Sequence, residues 1–132
     1  MYTIINENIL VVDDDVNTSL KYKRWLEDEG FNLTFINDPL LAEVNFKPIN
    51  YDLVFIGFRM SVIYGFKLYD KLHEISKNVE DTPKEFRVCF MTSSIINYKV
   101  LAEIHPELGE ECYVSKEVPK EVFIKHVYSL LS

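Results

Sequence analysis

The segment YDLVFIGFRM, residues 51–60, is the part of the sequence from which the fold class is most readily inferred. Its apolar run at residues 53–56 ends at Gly57, and residues 58–60 then have the character of a loop. A short apolar run of this kind is typical of a strand that is buried on both faces of a parallel sheet. The sequence therefore predicts a central strand with glycine at its carboxyl end.

The rest of the chain alternates between strand-like and helix-like segments. We predict strands at residues 8–12, 31–36, 52–56, 86–91 and 111–115. We predict helices at residues 16–29, 38–47, 66–76, 95–104 and 119–131, and a polar loop at residues 77–85. Five such alternations indicate an α/β fold, in which helices cover both faces of a parallel sheet through right-handed crossovers.

Local signals predict where the helices begin and end and which faces they bury. Gly30 is a predicted C-terminal stop, and Asp38 followed by Pro39 predicts a capped first turn. Apolar spacing then predicts the inward faces. These are Val16, Leu20 and Leu26 in the first helix, Phe66, Tyr69, Leu72 and His73 in the third, and Val122, Phe123, Val127, Leu130 and Leu131 in the last.

Length and composition limit the classes of protein that this chain fits. Its 132 residues suit a single domain, numbered 1–132, with 48% hydrophobic and 27% charged residues. A net charge of −7 argues against direct binding to nucleic acid. No apolar run approaches the ~20 residues of a membrane helix, and the N-terminus lacks the features of an export signal. With Cys89 and Cys112 interpreted as reduced core thiols, these features predict a cytoplasmic protein.

Parallel sheets of this kind place their working sites at the carboxyl ends of their strands, and this rule selects a small set of residues. They are residues 13–15, residues 57–59, Thr92 with Ser93, and Ser115 with Lys116. Adjacent carboxylates can hold a hard divalent cation such as magnesium. A hydroxyl and a lysine can bind and neutralise a phosphoryl group. Together these are the charge-stabilising parts of a phosphoryl-transfer site.

On these residues, the chain resembles a response regulator receiver domain of two-component signalling. Four motifs carry the resemblance: ILVVDDD at 9–15, YDLVFIGFRM followed by Gly65, Thr92 after VCFM, and YVSK at 113–116. Each motif is weak alone, but all four occur in order and at strand ends. The resemblance implies a flavodoxin-like, doubly wound, five-stranded parallel sheet of order 2-1-3-4-5.

The resemblance also implies a role for each matching residue. Asp13 and Asp14 match the acidic pair that binds magnesium, and Arg59 matches the residue whose backbone carbonyl completes that site. Thr92 matches the switch hydroxyl, and Lys116 matches the lysine beside the phosphoryl group. These residues would form the phosphate and metal pocket.

Two further matches concern the switch and the acceptor. Tyr113 matches the aromatic residue that the family turns inward on activation. Gly57 matches the aspartate that accepts the phosphoryl group, and glycine has no nucleophile. The sequence therefore predicts a receiver that is not phosphorylated at residue 57, has no catalytic residue there, and is not an enzyme.

The missing carboxylate also affects the predicted cation site. Mg²⁺ demands near-octahedral oxygen ligands, so we expect a weakened or vacant magnesium site. Lys116 is then free to pair with Asp13 or Asp14, which would give a closed, metal-poor pocket.

Another residue could act as acceptor in place of residue 57. Asp52 lies five residues back, about 16 Å away at ~3.3 Å per residue and at the wrong end of the strand. Asp13 and Asp14 start from another strand, and Ser61 would need a different kinase chemistry. A receiver phosphorylated at such a residue is kept as an alternative.

Two departures from the family pattern accompany the glycine. Ser61 and Glu117 stand where receivers usually have proline. We expect a trans peptide bond before Glu117, because a cis bond to a non-proline residue costs about 2.5–4 kcal/mol. The sequence leaves open whether Gly57 is natural or engineered from aspartate, and the two departures favour a natural residue.

A second class of function is a phosphatase of the haloacid dehalogenase type. Such enzymes open with D-x-D after their first strand, which Asp13 and Asp15 match. However, Asn17 stands where a threonine is expected, and no late acidic pair follows Lys116. Hydrolysis of an aryl phosphate in the presence of magnesium would separate this reading from the receiver reading.

The predicted partners are other signalling proteins. They include a histidine kinase or a separate output protein, because no DNA-binding segment follows the last predicted helix. By fold analogy, contacts would use the surface of the fourth helix, fifth strand and fifth helix, and a homodimer is open. His73, His105 and His126 have no partner spacing and are predicted to have no phosphotransfer role.

Overall fold

The structure, a computed structural model, describes residues 7–47, 50–78, 86–93 and 98–132. Five strands and five helices alternate along these residues. The strands are β1 (Asn8–Val12), β2 (Asn32–Ile36), β3 (Leu53–Gly57), β4 (Arg87–Thr92) and β5 (Tyr113–Ser115). The helices are α1 (Val16–Asp28), α2 (Pro39–Asn45), α3 (Gly65–Lys77), α4 (Tyr98–Ile104) and α5 (Lys120–Leu131).

The five strands form one parallel sheet in the order β2-β1-β3-β4-β5. This order confirms the predicted doubly wound, flavodoxin-like fold. In the register of the sheet, Val12 pairs with Ile56, Gly57 with Met91, and Thr92 with Ser115. The carboxyl ends of the four strands β1, β3, β4 and β5 therefore meet at one edge, as the crossover topology requires.

Each face of the sheet carries its own apolar core. On the face covered by α1 and α5, Tyr22 stacks on Phe123 at 4.2 Å between ring centroids, and Phe55 lies 5.4 Å from Phe123. On the face covered by α2 and α3, Phe90 is the central ring, with the Phe66 ring edge-on at 4.9 Å. Aromatic pairs in these tilted and offset geometries add to the free energy gained by burial.

The predicted inward face of α1 was partly wrong. Val16 and Leu20 are 51% and 57% exposed, whereas Tyr22 and Leu26 are fully buried. At 100° per residue, Leu20 and Leu26 point about 120° apart, so they cannot share one buried stripe. In the last helix Phe123, Val127 and Leu130 are buried as predicted, but Val122 is exposed.

Some predicted boundaries also shift. Residues 111–112, predicted as strand, belong to a 3₁₀ turn at Glu110–Cys112, and the strand begins only at Tyr113. A 3₁₀ turn suits this position because its tight geometry brings the chain into the short edge strand β5. Residues 79–85 of the predicted loop and residues 95–97 of the predicted fourth helix lie outside the described residues.

Two cap predictions are confirmed. The Asp38 side chain accepts a hydrogen bond from the backbone N–H of Leu40 at the start of α2. Gly30, just after α1, has φ of 87°, a left-handed conformation that glycine adopts without a steric penalty. Within the described part of the chain, no helix is long and apolar enough to cross a membrane.

Candidate functional site

The carboxyl edge of the sheet brings four predicted site residues together. Asp13 follows β1, Gly57 ends β3, Thr92 ends β4, and Lys116 follows β5. The backbone N–H of Lys116 donates to the carbonyl of Thr92 at 2.8 Å, which continues the pairing of β4 with β5 into the loop. Residues that are far apart in sequence therefore line one pocket, because the parallel strands that carry them end side by side.

The Asp13 side chain packs directly against Gly57. A Cβ atom built on Gly57 would lie 2.7 Å from Oδ1, 2.8 Å from Cγ and 3.0 Å from Oδ2 of Asp13. Such separations are too short for any side chain to be accommodated without movement. The Asp13 carboxylate thus fills the space in which a side chain at residue 57 would begin, so any such side chain would have to displace it.

Asp13 is neutralised by a buried ion pair. Its side chain is fully buried, and its Oδ2 lies 2.9 Å from Nζ of Lys116, which is itself only 13% exposed. The backbone N–H of Asp15 donates to Oδ1 at 3.0 Å. Burial raises the pKa of the Asp13 carboxyl group, and the ammonium group of Lys116 opposes this rise.

Asp15 is the N-cap of α1. Its side chain accepts hydrogen bonds from the backbone N–H of Thr18 at 3.3 Å and from the Thr18 hydroxyl at 2.7 Å. The hydrogen bond from that hydroxyl is the main reason that the pKa of Asp15 is lowered. Oδ2 of Asp15 also lies 3.6 Å from Nζ of Lys116. This carboxylate therefore serves the helix terminus, as an N-cap aspartate typically does.

Asp14 faces the loop that follows β3. Its Oδ2 accepts the backbone N–H of Ser61 at 2.6 Å and also the Ser61 hydroxyl. Asp14 and Ser61 are 47 residues apart in sequence, so this contact joins two separate loops of the pocket. The carboxylates of Asp13 and Asp14 are thus committed to different partners.

The contacts of these two carboxylates determine whether the pocket fits a magnesium ion. A hard cation needs several oxygen ligands that converge on one point. Here the Asp13 carboxylate is turned onto Gly57 and Lys116, and the Asp14 carboxylate is turned onto Ser61. Among the described residues, no group of three or more acidic, histidine or cysteine side chains could hold a metal ion. The residues as arranged do not fit a bound Mg²⁺.

The two predicted switch residues are both buried. Thr92 and Tyr113 are each 4% exposed. The Tyr113 ring stacks on Phe90 at 5.6 Å and meets the edge of Phe66 at 6.3 Å. Tyr113 therefore points into the core between β5 and α3.

Asp52, one of the alternative acceptors, is confirmed to lie at the opposite end of the sheet. Its Oδ2 accepts the backbone N–H of Asn8 at 2.9 Å, where β1 begins. Its own position is just before β3, whereas Gly57 ends that strand. Asp52 thus has a structural partner far from the pocket.

One residue that supports the pocket, Lys21 in α1, was not predicted from the sequence. Its Nζ donates to the carbonyl of Lys116 at 2.7 Å, and it lies 5.2 Å from the ring centroid of Trp25. This contact holds the β5–α5 loop against α1 across 95 residues of sequence. The described residues contain no cis peptide bond, so the predicted trans bond before Glu117 is confirmed.

His105, for which we predicted no phosphotransfer role, has a carboxylate partner at each ring nitrogen. Nε2 lies 3.2 Å from Oδ1 of Asp70, and Nδ1 lies 2.7 Å from Oε1 of Glu107. Its ring meets the edge of Phe66 at 4.7 Å. A spacing pattern could have suggested Glu107, but only the fold brings Asp70 of α3 to this histidine.

Comparison with known families shows which family the chain matches. The family model for the response regulator receiver domain matches residues 9–128, which is most of the chain. No curated protein sequence gives a significant match.

Solved structures give the same fold. The non-phosphorylated HemR receiver domain of Leptospira biflexa is 24% identical, with a TM-score of 0.76 over 96% of this chain and 95% of its own. Chemotaxis protein CheY4 of Vibrio cholerae is 17% identical, with a TM-score of 0.77 over 96% of this chain and all of its own. A two-component response regulator of Clostridium difficile is 20% identical, with a TM-score of 0.74 over 96% of each chain.

Proposed function

Because this chain belongs to the response regulator receiver domain family of two-component signalling, we propose that it is a receiver that accepts no phosphoryl group at residue 57 and acts through protein contacts. One observation carries the proposal. The space beside Gly57 is filled by the carboxylate of Asp13, which is held by Lys116. An acceptor side chain at residue 57 is absent, and its place is occupied.

Phosphoryl transfer needs an attacking oxygen in line with the donor. The nearest carboxylate, Asp13, is fully buried and paired with Lys116, so a donor cannot approach it in this arrangement. Lys116, which would neutralise a phosphoryl group, already has its charge balanced. These contacts support a receiver pocket that is chemically silent and needs no ligand to compensate its charges.

Receiver domains work with histidine kinases and output domains, and we assign this chain a partner of that kind. Its signal would pass by contact to a separate protein in the cytoplasm. The surface of α4, β5 and α5 is the proposed contact region, by analogy with the fold. Burial of Tyr113 beneath this surface supports a fixed arrangement of the proposed switch residue.

The geometry favours no second function. The phosphatase alternative needs Asp15 as an acid beside the nucleophile Asp13, but Asp15 caps α1 through Thr18. We therefore expect no magnesium-dependent hydrolysis of p-nitrophenyl phosphate above the rate of a buffer blank. Turnover that is lost in Asp13→Asn would revive the phosphatase reading.

The proposal is tested by exposing the purified chain to acetyl phosphate and magnesium and measuring its intact mass. We expect no gain of a phosphoryl group on the unaltered chain. A stoichiometric mass gain would overturn the chemically silent pocket, and Asp13→Asn, Asp14→Asn and Ser61→Ala would then locate the acceptor. Gly57→Asp is the matched positive variant, and a gain confined to it would support the assignment of residue 57.

A further inference from the structure

The mouth of the pocket is crossed by one contact that the missing acceptor does not explain. A single carboxylate oxygen of Asp14, in the β1–α1 loop, accepts both the N–H and the hydroxyl of Ser61, in the β3–α3 loop. Neither donor would exist with proline at residue 61, because proline has no backbone N–H and no hydroxyl. The residue type at 61 is therefore what makes the contact chemically available.

We propose that Ser61 is a latch, which turns the Asp14 carboxylate towards the β3–α3 loop and keeps its Oδ2 from any divalent cation. Hydrogen bonds to a carboxylate are charge-assisted and stronger than neutral ones. An oxygen that accepts two such donors must lose them, or share them, before it can coordinate a metal. The latch thus acts on Asp14 at the rim of the pocket, whereas Gly57 removes the acceptor side chain inside it.

The two features occupy different carboxylates, which makes them separable. Asp13 is held by Gly57 and Lys116 inside the pocket, and Asp14 is held by Ser61 at its rim. Introducing an aspartate at residue 57 would displace the Asp13 side chain but leave the Ser61 latch closed. The inference rests on the proposed function only in treating this pocket as the receiver site.

The first test needs no metal. In the full chain, hydrogen exchange and the amide proton shift of Ser61 are measured by NMR. We expect a protected, downfield-shifted amide, and loss of both properties in Asp14→Ala. A Ser61 amide that exchanges as fast as an unstructured one in the unaltered chain would overturn the latch.

The second test measures Mn²⁺ affinity from paramagnetic broadening of the pocket amides. The variants are compared in the Gly57→Asp background, which supplies the extra carboxylate. Adding Ser61→Ala should raise the affinity about three- to tenfold, since it removes one of two charge-assisted hydrogen bonds. Adding Ser61→Pro, which removes both, should raise it further. Ser129→Ala, on the exposed side of α5, is the matched control and should change nothing.

The outcomes are distinguishable from those of the proposed function. Equal Mn²⁺ affinities in Gly57→Asp with and without Ser61→Ala would overturn the latch, even if Ser61→Pro fails to fold. Phosphorylation of the unaltered chain would overturn the silent receiver but would leave the protection of the Ser61 amide as it is. A protected amide together with a raised affinity supports the latch whichever way the mass measurement turns out.

Discussion

The two ends of the parallel sheet use charged residues in opposite ways. At the amino end, Asp52 accepts the backbone N–H of Asn8, and the Arg87 guanidinium donates to the carbonyls of Leu130 and Ser132. At the carboxyl end, Asp13 and Lys116 bind each other, and Asp13 is fully buried. Charges at the first end secure backbone groups at the surface. Charges at the second pair with each other, and the carboxylate of that pair is fully buried.

The two ends should therefore differ in how strongly a substitution affects stability. A buried charge that loses its partner keeps its full desolvation penalty, whereas a surface charge can return to water. Substitutions at the carboxyl end should therefore lower the free energy of unfolding more than substitutions at the amino end, although both ends contain acids and bases. The variants below test that separation in order of decreasing effect.

The largest effect is expected from Lys116→Met, which keeps the aliphatic stem but leaves Asp13 unpaired. We expect a loss of about 3–5 kcal/mol in the free energy of unfolding at neutral pH. The loss should shrink as the pH is lowered, because protonation of Asp13 removes the unpaired charge. Burial already raises the pKa of this carboxyl group, so it takes up its proton sooner than an exposed aspartate.

Urea unfolding followed by circular dichroism measures this loss, and Lys120→Met is its matched control. Lys120 pairs with Asp28 at 3.4 Å, and both side chains are substantially exposed. The control should lose less than about 1 kcal/mol. Equal losses in the two variants would show that the two kinds of ion pair do not differ as described.

The second effect comes from Gly57→Ala, which places a methyl group against the Asp13 carboxylate. Overpacking of a filled site costs about 1–3 kcal/mol, and relief from glycine in a strand offsets about 0.5–1 kcal/mol of it. We expect a net loss of about 1 kcal/mol in unfolding free energy.

A double-mutant cycle with Asp13→Ala identifies the cause of that loss. In the Asp13→Ala background the space is open, so adding Gly57→Ala should be neutral or stabilising. If Gly57→Ala costs the same in both backgrounds, the contact with Asp13 is not responsible.

A similar or smaller effect is expected at the amino end from Asp52→Ala. The variant removes the acceptor of the partly buried N–H of Asn8, and we expect a loss of about 1 kcal/mol. Thermal unfolding would measure it beside Lys116→Met. A loss as large as that of Lys116→Met would erase the contrast between the two ends.

The smallest effect is expected from Lys23→Ala on the outer side of α1. Lys23 lies 4.0 Å from Glu27, and both side chains are about half exposed. Such pairs contribute about 0.3–0.5 kcal/mol, so the variant should be nearly indistinguishable from the unaltered chain in chemical denaturation. The difference in unfolding free energy between Lys23→Ala and the unaltered chain should also not change with added salt, because only a sizeable ion pair would weaken measurably with ionic strength.

The sequence was sufficient for the fold because the strands are short, branched and apolar, and each is followed by a helical period. It failed where the burial of one helix depends on its neighbours. Leu20 has an apolar side chain like a core residue, yet it is exposed because α1 presents Tyr22 and Leu26 to the sheet. It also failed at residues 111–112, where a 3₁₀ turn replaces the first part of the predicted strand.

For the site, the sequence located the residues but not their partners. It allowed Lys116 to pair with Asp13 or Asp14, and the structure pairs it with Asp13. Asp14 instead binds Ser61, and Lys21 supports the loop from another helix. Contacts that join residues 47 and 95 positions apart depend on loop paths, which no local pattern encodes.

The position of Lys21 gives this molecule an optical reporter of its own. Trp25 is the only tryptophan in the chain, and the ammonium group beside its ring is the same one that binds the Lys116 carbonyl. Displacement of the β5–α5 loop would move that cation relative to the indole and change its emission. Docking of a partner onto this loop could therefore be followed by intrinsic fluorescence, without a dye or a label.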